Sequence, residues 1–190
     1  MITIRHERLS DVDAREALLD DAFGETRYRK ASERLREARL PADGLAFVAA
    51  QAKRVIGTAR LWDIACGHGQ TAVLLGPVAV AAENRGQGIG AALVRKAIEA
   101  ARRLGHKAVI LVGDPPYYGR FGFSAEKTGA LWMPGPFERH RLLALELNSG
   151  ALDGARGMIG AAGRLAPKPD LAALVAQDRR SARGRGHRAA

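Results

Sequence analysis

The chain has 190 residues, a formal net charge of +10 and 47% hydrophobic residues, which is the composition of an ordinary globular protein. Its single cysteine, Cys66, excludes an intramolecular disulfide and a cysteine-based metal cluster, and we expect no metal site. Charges follow the first residues at once, and no apolar stretch approaches the roughly 18 residues of a membrane span. We therefore expect a soluble, cytoplasmic protein without a membrane partner.

The N-terminal part of the chain predicts one strand and two helices. Residues 2–6 alternate between apolar and polar, as a short strand does. Ser10 is a good N-cap for a helix whose apolar residues recur at helical spacing up to Phe23. A second helix is predicted over residues 27–39, and Pro41 follows its end.

The middle of the chain predicts an antiparallel meander and then a βαβ unit. Strands are predicted over residues 45–51, 55–64 and 71–81, with turn signals between them. Residues 88–104 predict an amphipathic helix, and residues 108–112 form an apolar run typical of a strand buried on both faces. Because a helix joins them, the strands on either side of it should be parallel. With a last strand over residues 141–147, these elements predict an α+β fold with a mixed sheet.

The composition changes near residue 148. We expect one domain over residues 1–148 and a Gly/Ala/Arg-rich C-terminal extension over residues 149–190, with a disordered end. From Asn148 onward, eight Lys/Arg stand against three Asp/Glu, so half of the net positive charge lies there. Such a segment can attract nucleic acid, but a solvated tail has the same composition, and we expect no nucleic-acid partner.

Three glycines open directly into the amphipathic helix: Gly86, Gly88 and Gly90. Glycine lets the backbone approach a ligand without a Cβ in the way. The N–H groups of the first helical turn and the positive end of the helix dipole attract anions, and Arg85 adds a positive charge. The loop therefore predicts a phosphate or pyrophosphate site.

Two cofactor classes fit such a loop. Gly86, Gly88 and Ala91 satisfy the G-x-G-x-x-A dinucleotide fingerprint, and Asp114 ends the next predicted strand, near where a ribose-binding acid would lie. Against this interpretation, the polar residues 83–85 separate the strand from the glycines, and a meander precedes them. An NAD(P)-binding Rossmann-type oxidoreductase is the alternative that we keep.

The segment from Gly76 to Leu93 resembles the acetyl-CoA-binding motif of the GNAT superfamily of N-acetyltransferases. Arg85, Gly88 and Gly90 match the motif [Gln/Arg]-x-x-Gly-x-[Gly/Ala]. Further along, the run Tyr-Gly-Arg-Phe-Gly-Phe from Tyr118 resembles the Tyr-x-x-x-Gly-Phe element of the family. The resemblance covers residues 1–147 and is strongest to the YhbS-like bacterial acetyltransferases.

The resemblance implies a GNAT-like fold whose parallel strand pair splays open to hold acetyl-CoA. It implies an acyltransferase that moves the acetyl group to a primary amine of a small molecule or peptide by direct attack. A non-catalytic CoA-binding module is a second alternative, and a homodimer is left open. The implied cofactor-binding residues are Val78, Val80, Arg85, Gly86, Gln87, Gly88, Gly90 and Ala91.

The catalytic residues of the GNAT family are matched only in part by this sequence. Tyr118 stands where the family has a tyrosine general acid, and a phenol can protonate a departing thiolate. Many relatives carry a glutamate on the strand before the loop, and residues 71–82 contain none. We therefore assign no general base. The candidates are Asp63, Glu25, His68 and His140.

Overall fold

The computed structural model describes residues 1–67 and 69–167. The strands are β1 (Ile2–His6), β2 (Ala46–Gln51), β3 (Arg54–Cys66), β4 (Gln70–Leu75), β5 (Ala79–Val80), β6 (Ala108–Val112), β7 (Leu131–Trp132), β8 (Leu142–Glu146) and β9 (Gly157–Ala161). The α-helices are α1 (Val12–Phe23), α2 (Ile89–Arg103) and α3 (Pro115–Gly119). Within this described part, no helix is both long and apolar enough to cross a membrane.

The strands form one mixed sheet with the order β1-β2-β3-β4-β6-β8. Neighbours along this order are antiparallel except β4 and β6, which α2 connects and which run parallel. The sheet is therefore a meander joined to a βαβ unit, and the predicted α+β fold is confirmed. The buried side chains of α2, among them Leu93 and Val94, pack on the sheet within the main core cluster. This packing holds the N-terminal end of α2 in place.

The strand predicted over residues 71–81 is interrupted. Both of its parts pair with β3, since Leu75 lies opposite Leu61 and Ala79 lies opposite Thr58. The three residues 76–78 thus face only two residues of β3, which makes a β-bulge. Meanwhile β4 pairs with β6 through only two residue pairs and then leaves it. The parallel pair therefore splays apart at the bulge, as the GNAT resemblance implies.

The helix predicted over residues 27–39 is wrong. Two 3₁₀ turns, Glu25–Arg29 and Glu33–Leu35, occupy this segment. The side chains of Arg27 and Arg36 are buried here, and Arg27 reaches acidic partners on α1. A buried guanidinium needs such partners, so ion pairing shapes the segment more than helix propensity does.

The N-cap expected at Ser10 is also wrong. A 3₁₀ turn, Leu9–Asp11, precedes α1, and Asp11 is the N-cap residue of the helix. The carboxylate of Asp11 accepts hydrogen bonds from the Arg8 backbone N–H at 2.8 Å and from the Arg5 side chain at 2.6 Å. The Arg5 guanidinium accordingly lowers the pKa of Asp11 to about 2.

Part of the predicted C-terminal extension belongs to the sheet. Strand β9 pairs antiparallel with the end of β3, from Ile64 opposite Ala161 to Cys66 opposite Ile159. Leu152 and Ile159 are buried in a second core cluster on that side. The packed structure thus continues past residue 148, and the end of the extension, for which we expect disorder, lies outside the described residues.

Candidate active site

The glycine loop runs into α2 with two residues in the left-handed conformation. Gly86 has φ +80° and Gly88 has φ +77°, values that favour glycine strongly. Gly88 is the N-cap residue, and among residues 1–67 and 69–167 no side chain caps the helix there. The N–H groups of the first turn therefore have no intrahelical partner and can bind an anion.

A cavity of about 310 Å³, here called the loop cavity, lies in front of these N–H groups. Its lining includes six predicted residues: Val80, Arg85, Gly86, Gly88, Gly90 and Ala91. It also includes Asn84, Tyr117 and Arg120, which the sequence did not single out for binding. The Arg120 guanidinium carbon lies 3.9 Å from the Tyr117 ring centroid, so this cation is held against the aromatic wall.

The side chains of the loop itself take different positions. The Nε of Arg85 donates to the Val80 carbonyl at 3.3 Å, which keeps the guanidinium beside the cavity. Gln87 does not line the loop cavity, and its amide donates to the Glu83 carbonyl at 3.5 Å, back along the chain.

A second cavity of about 360 Å³, the strand cavity, lies between β5 and α3. Val78, Val80 and Tyr118 line it, together with Ala22 and Phe23 from the end of α1. In the described part of the chain, the Val78 N–H at the bulge donates to no backbone carbonyl. A free N–H at this position can polarise a carbonyl group that enters the cavity.

The position of Tyr118 is set by two neighbours. Asp114 caps α3 by accepting a hydrogen bond from the Tyr117 N–H at 3.2 Å. The carboxylate of Asp114 therefore serves as a helix cap, not as the ribose-binding acid of a dinucleotide site. A Cβ on Gly113 would lie 2.2 Å from Cε2 of the Tyr118 ring, so the ring packs where only glycine leaves room. Burial and the neighbouring Tyr117 phenol raise the pKa of Tyr118 to about 12.

The candidate bases lie elsewhere. Asp63 lines neither cavity, and its Oδ1 is 3.9 Å from Nδ1 of His106. His140 is 69% exposed and 3.6 Å from Glu138. Glu25 begins the first 3₁₀ turn after α1, and His68 lies outside the described residues. The structure brings neither Asp63 nor His140 to Tyr118, and the general base stays unassigned.

A third cavity of about 200 Å³, the arginine cavity, adjoins the other side of the bulge. Pro77 lines this cavity while its neighbour Val78 lines the strand cavity. Trp62 lies against Gly76, where a Cβ would come within 2.4 Å of the indole ring. The charged side chains in the wall of the arginine cavity are Glu16, Arg27, Glu33, Arg36, Arg39 and Arg60. The sequence did not predict this cavity, because its residues come from four separate segments.

The remaining reactive groups do not add a site. Cys66 is buried, and burial raises the pKa of its thiol to about 11, which makes it a poor nucleophile. Across residues 1–67 and 69–167, no group of three His, Cys, Asp or Glu side chains could hold a metal ion.

Comparison with known proteins identifies the class that this fold and loop define. Residues 12–123 match the family model described as the acetyltransferase (GNAT) family, and the chain belongs to that family. It is 32% identical over 85 residues to the uncharacterized N-acetyltransferase YhbS of Escherichia coli (strain K12). That match covers 45% of this chain and 51% of YhbS, so the chain spans about half the length of the curated relative.

Solved structures agree with this assignment. The chain is similar to the structure of YhbS from Escherichia coli in complex with CoA, with a TM-score of 0.70 and 29% identity over 85% of this chain and 89% of that one. It is also similar to a GNAT family acetyltransferase from Brucella melitensis in complex with acetyl-CoA, with a TM-score of 0.56 and 26% identity over 89% and 97% of the two chains. The predicted GNAT-like fold and the resemblance to YhbS are confirmed.

Proposed function

We propose that this protein transfers the acetyl group of acetyl-CoA to the primary amine of a small molecule or peptide. One observation carries the proposal. The loop cavity and the strand cavity share four lining residues, Val80, Arg85, Gly90 and Tyr117, so one groove leads from the helix N-terminus to the splayed strands. Two similar proteins, YhbS and the Brucella melitensis enzyme, were solved with CoA and acetyl-CoA respectively.

The donor-binding part of this groove suits a pyrophosphate followed by a long, uncharged arm. The N–H groups at the start of α2 supply hydrogen bonds, and Arg85 and Arg120 supply positive charge. The glycines leave the groove open, since a Cβ on Gly86 or Gly88 would meet no protein atom within 4 Å. In the strand cavity, Val78 and Val80 lie along the edge of the splayed strand and can offer their backbone groups to this arm.

The proposed reaction needs no enzyme nucleophile. The amine nitrogen attacks the thioester carbonyl carbon, the C–N bond forms, the C–S bond breaks, and the CoA thiolate leaves. The Val78 N–H stabilises the oxyanion, which is a contribution worth roughly 3–4 kcal/mol per donor in comparable enzymes. Much of the remaining acceleration comes from holding the two reactants in one groove.

Tyr118 is the proposed acid for the departing thiolate. With a pKa of about 12, its phenol is protonated throughout the neutral range and can donate a hydrogen bond or proton in every turnover. The proton that the amine loses goes to solvent or to a base that we leave unassigned, since neither Asp63 nor His140 lines the groove.

The two alternative functions, an oxidoreductase and a non-catalytic CoA-binding module, predict different experimental results. A Rossmann-type oxidoreductase is not favoured, because an antiparallel meander precedes the loop and Asp114 caps α3. A non-catalytic CoA-binding module would bind acetyl-CoA and acetylate nothing.

The test is a thiol-release assay with acetyl-CoA and a panel of amines, amino acids and peptides. We expect at least one acceptor to be acetylated, and Tyr118→Phe to lower kcat by about 100-fold or more while KM for acetyl-CoA changes little. Tyr117→Phe, which removes the adjacent phenol, should lower kcat far less. Titration calorimetry that gave binding of NADH and none of acetyl-CoA would overturn the proposal.

A further inference from the structure

The arginine cavity has an excess of positive charge. Its wall contains four arginines, Arg27, Arg36, Arg39 and Arg60, against two glutamates, Glu16 and Glu33. Three further charged groups pair with side chains of the wall: Glu7 with Arg60, Arg15 with Glu16, and Asp20 with Arg27. When these are included, five arginines face four carboxylates, and an excess of one positive charge remains.

Arg36 is buried and Arg60 is partly buried, and carboxylates do not fully compensate the charge of either. Arg36 is 9% exposed, and one carboxylate, that of Glu33, lies 2.5 Å from its Nη2. Arg60 donates to Glu7 through Nε at 2.9 Å and Nη2 at 2.8 Å, but Glu7 is shared with Arg15. Burial lowers the pKa of both Arg36 and Arg60, so the attraction of their partners does not offset the desolvation of either guanidinium.

The unused donors of these two arginines lie around one aromatic wall. The guanidinium carbons of Arg36 and Arg60 lie 5.2 Å and 5.9 Å from the ring centroid of Trp62. Within the described residues, Nη1 of Arg36 and Nη1 of Arg60 make no hydrogen bond to a protein group. A planar anion beside Trp62 would accept hydrogen bonds from both and relieve their desolvation.

The cavity is also in the right place for the acceptor. Pro77 and Val78 are consecutive residues of the bulge, and they line the arginine cavity and the strand cavity respectively. An amine whose other end rests in the arginine cavity would therefore reach the bulge from the side opposite the donor groove. The volume of about 200 Å³ suits a molecule of amino-acid size.

We propose that the arginine cavity is the acceptor subsite, and that it selects an amine that carries a carboxylate, held by Arg36 and Arg60 against Trp62. This inference rests on the proposed acetyl transfer for the role of the amine. It assigns the acceptor class, a small amino acid-like molecule, which the donor groove alone does not determine.

The first test compares each common amino acid with its carboxamide as acceptor in the thiol-release assay. For the best acceptor, the free acid should have a kcat/KM at least about tenfold above that of the amide, as expected for charge-assisted hydrogen bonds. Arg36→Gln and Arg60→Gln should abolish this preference. Arg29→Gln removes the same charge from an exposed position on the neighbouring turn and should preserve it. Equal turnover of acid and amide would overturn the subsite and leave the acetyl transfer intact.

The second test needs no turnover and separates the two proposals. N-acetyl amino acids and N-acetyl amino acid amides are titrated into the protein with CoA and followed by NMR saturation transfer. Binding of the acids alone supports the subsite even if no amine is acetylated, and absence of any preference overturns it. Unchanged CoA affinity by calorimetry shows that the arginine variants are folded, and Arg36→Lys should retain part of the preference because it keeps the charge.

Discussion

The donor groove and the arginine cavity lie on either side of one bulge, yet they differ in the groups that form them. The donor groove uses backbone: N–H groups at a helix N-terminus, a Val78 N–H that has no backbone acceptor among the described residues, and glycines that keep the surface open. The arginine cavity uses long side chains that hold one another through ion pairs, such as Arg60 with Glu7. A backbone site tolerates sequence change as long as the glycines stay, whereas a side-chain network depends on each partner.

The largest effect should come from breaking the network behind the arginine cavity. Glu7 is 5% exposed and accepts hydrogen bonds from both Arg15 and Arg60. We expect Glu7→Gln to lower the free energy of unfolding by about 3–5 kcal/mol, because the buried guanidinium of Arg15 and the partly buried one of Arg60 lose their shared counter-charge. Denaturant unfolding measures this.

A matched control for Glu7→Gln lies beside the donor groove. Glu83 pairs with Arg54 at 2.5 Å, but both side chains are more than half exposed. Glu83→Gln should therefore leave the free energy of unfolding almost unchanged. Equal destabilisation by the two variants would remove the contrast between a charge network and a backbone site.

The next largest effect should be a loss of activity when the Tyr118 side chain is displaced. In Gly113→Ala the new Cβ would lie 2.2 Å from the Tyr118 ring, so the phenol must move away from the strand cavity. We expect kcat to fall by about 100-fold, as it does when a general acid is removed, with binding of acetyl-CoA at the loop nearly unchanged. Steady-state kinetics and calorimetry separate the two quantities. A Gly113→Ala enzyme with full activity would argue against the role of Tyr118.

A smaller effect should separate stability from binding in the glycine loop. In Gly90→Ala the Cβ would come within 3.2 Å of the Tyr117 hydroxyl, between the two donor cavities. Affinity for acetyl-CoA should fall about tenfold. The free energy of unfolding should stay constant or rise by up to about 1 kcal/mol, since alanine favours the helix. Gly129→Ala, whose Cβ would meet no atom within 4 Å, is the control, and wild-type affinity in Gly90→Ala would contradict the placement of the groove.

The smallest expected effect concerns the dependence of kcat on pH. The phenol of Tyr118 acts while it is protonated, and its pKa is raised to about 12, so the active form is lost only as the pH rises towards that value. We expect kcat not to fall between pH 7 and pH 10, whereas an ordinary tyrosine would be half ionised at about pH 10. A descending limb near pH 10 that disappears in Tyr118→Phe would show that the pKa is not raised in the complex.

The same contrast explains what the sequence could and could not reveal. The donor groove depends on glycine spacing next to a helix, and this pattern lies within a few consecutive residues, from Arg85 to Ala91. The meander and the parallel strand pair follow from turn signals and one helical connection. These features are local, so the sequence predicts the parallel pair and marks Val80, Gly88 and Tyr118 as candidate site residues.

The arginine cavity escaped prediction because its residues are far apart in the chain. Glu7 meets Arg60 across 53 positions, and no local pattern marks either as buried. The segment around Arg27 and Arg36 was predicted as a helix, since its composition permits one and its burial depends on partners from α1. The bulge was missed for a similar reason: residues 76–78 continue an apolar strand pattern, and only pairing with β3 shows the extra residue. Strand β9 was hidden by its glycines, which have low strand propensity.

The side chains on the two faces of strand β3 serve different parts of the molecule. Thr58, Arg60 and Trp62 occupy alternate positions and line the arginine cavity, whereas Ala59 and Leu61, between them, pack in the core cluster that holds α2. Successive side chains of a strand point to opposite faces, so the cavity-lining set and the Ala59–Leu61 set lie on opposite sides of β3. Redesign of the acceptor preference can therefore concentrate on three alternate positions of one strand, while the residues between them continue to pack in the core that holds α2.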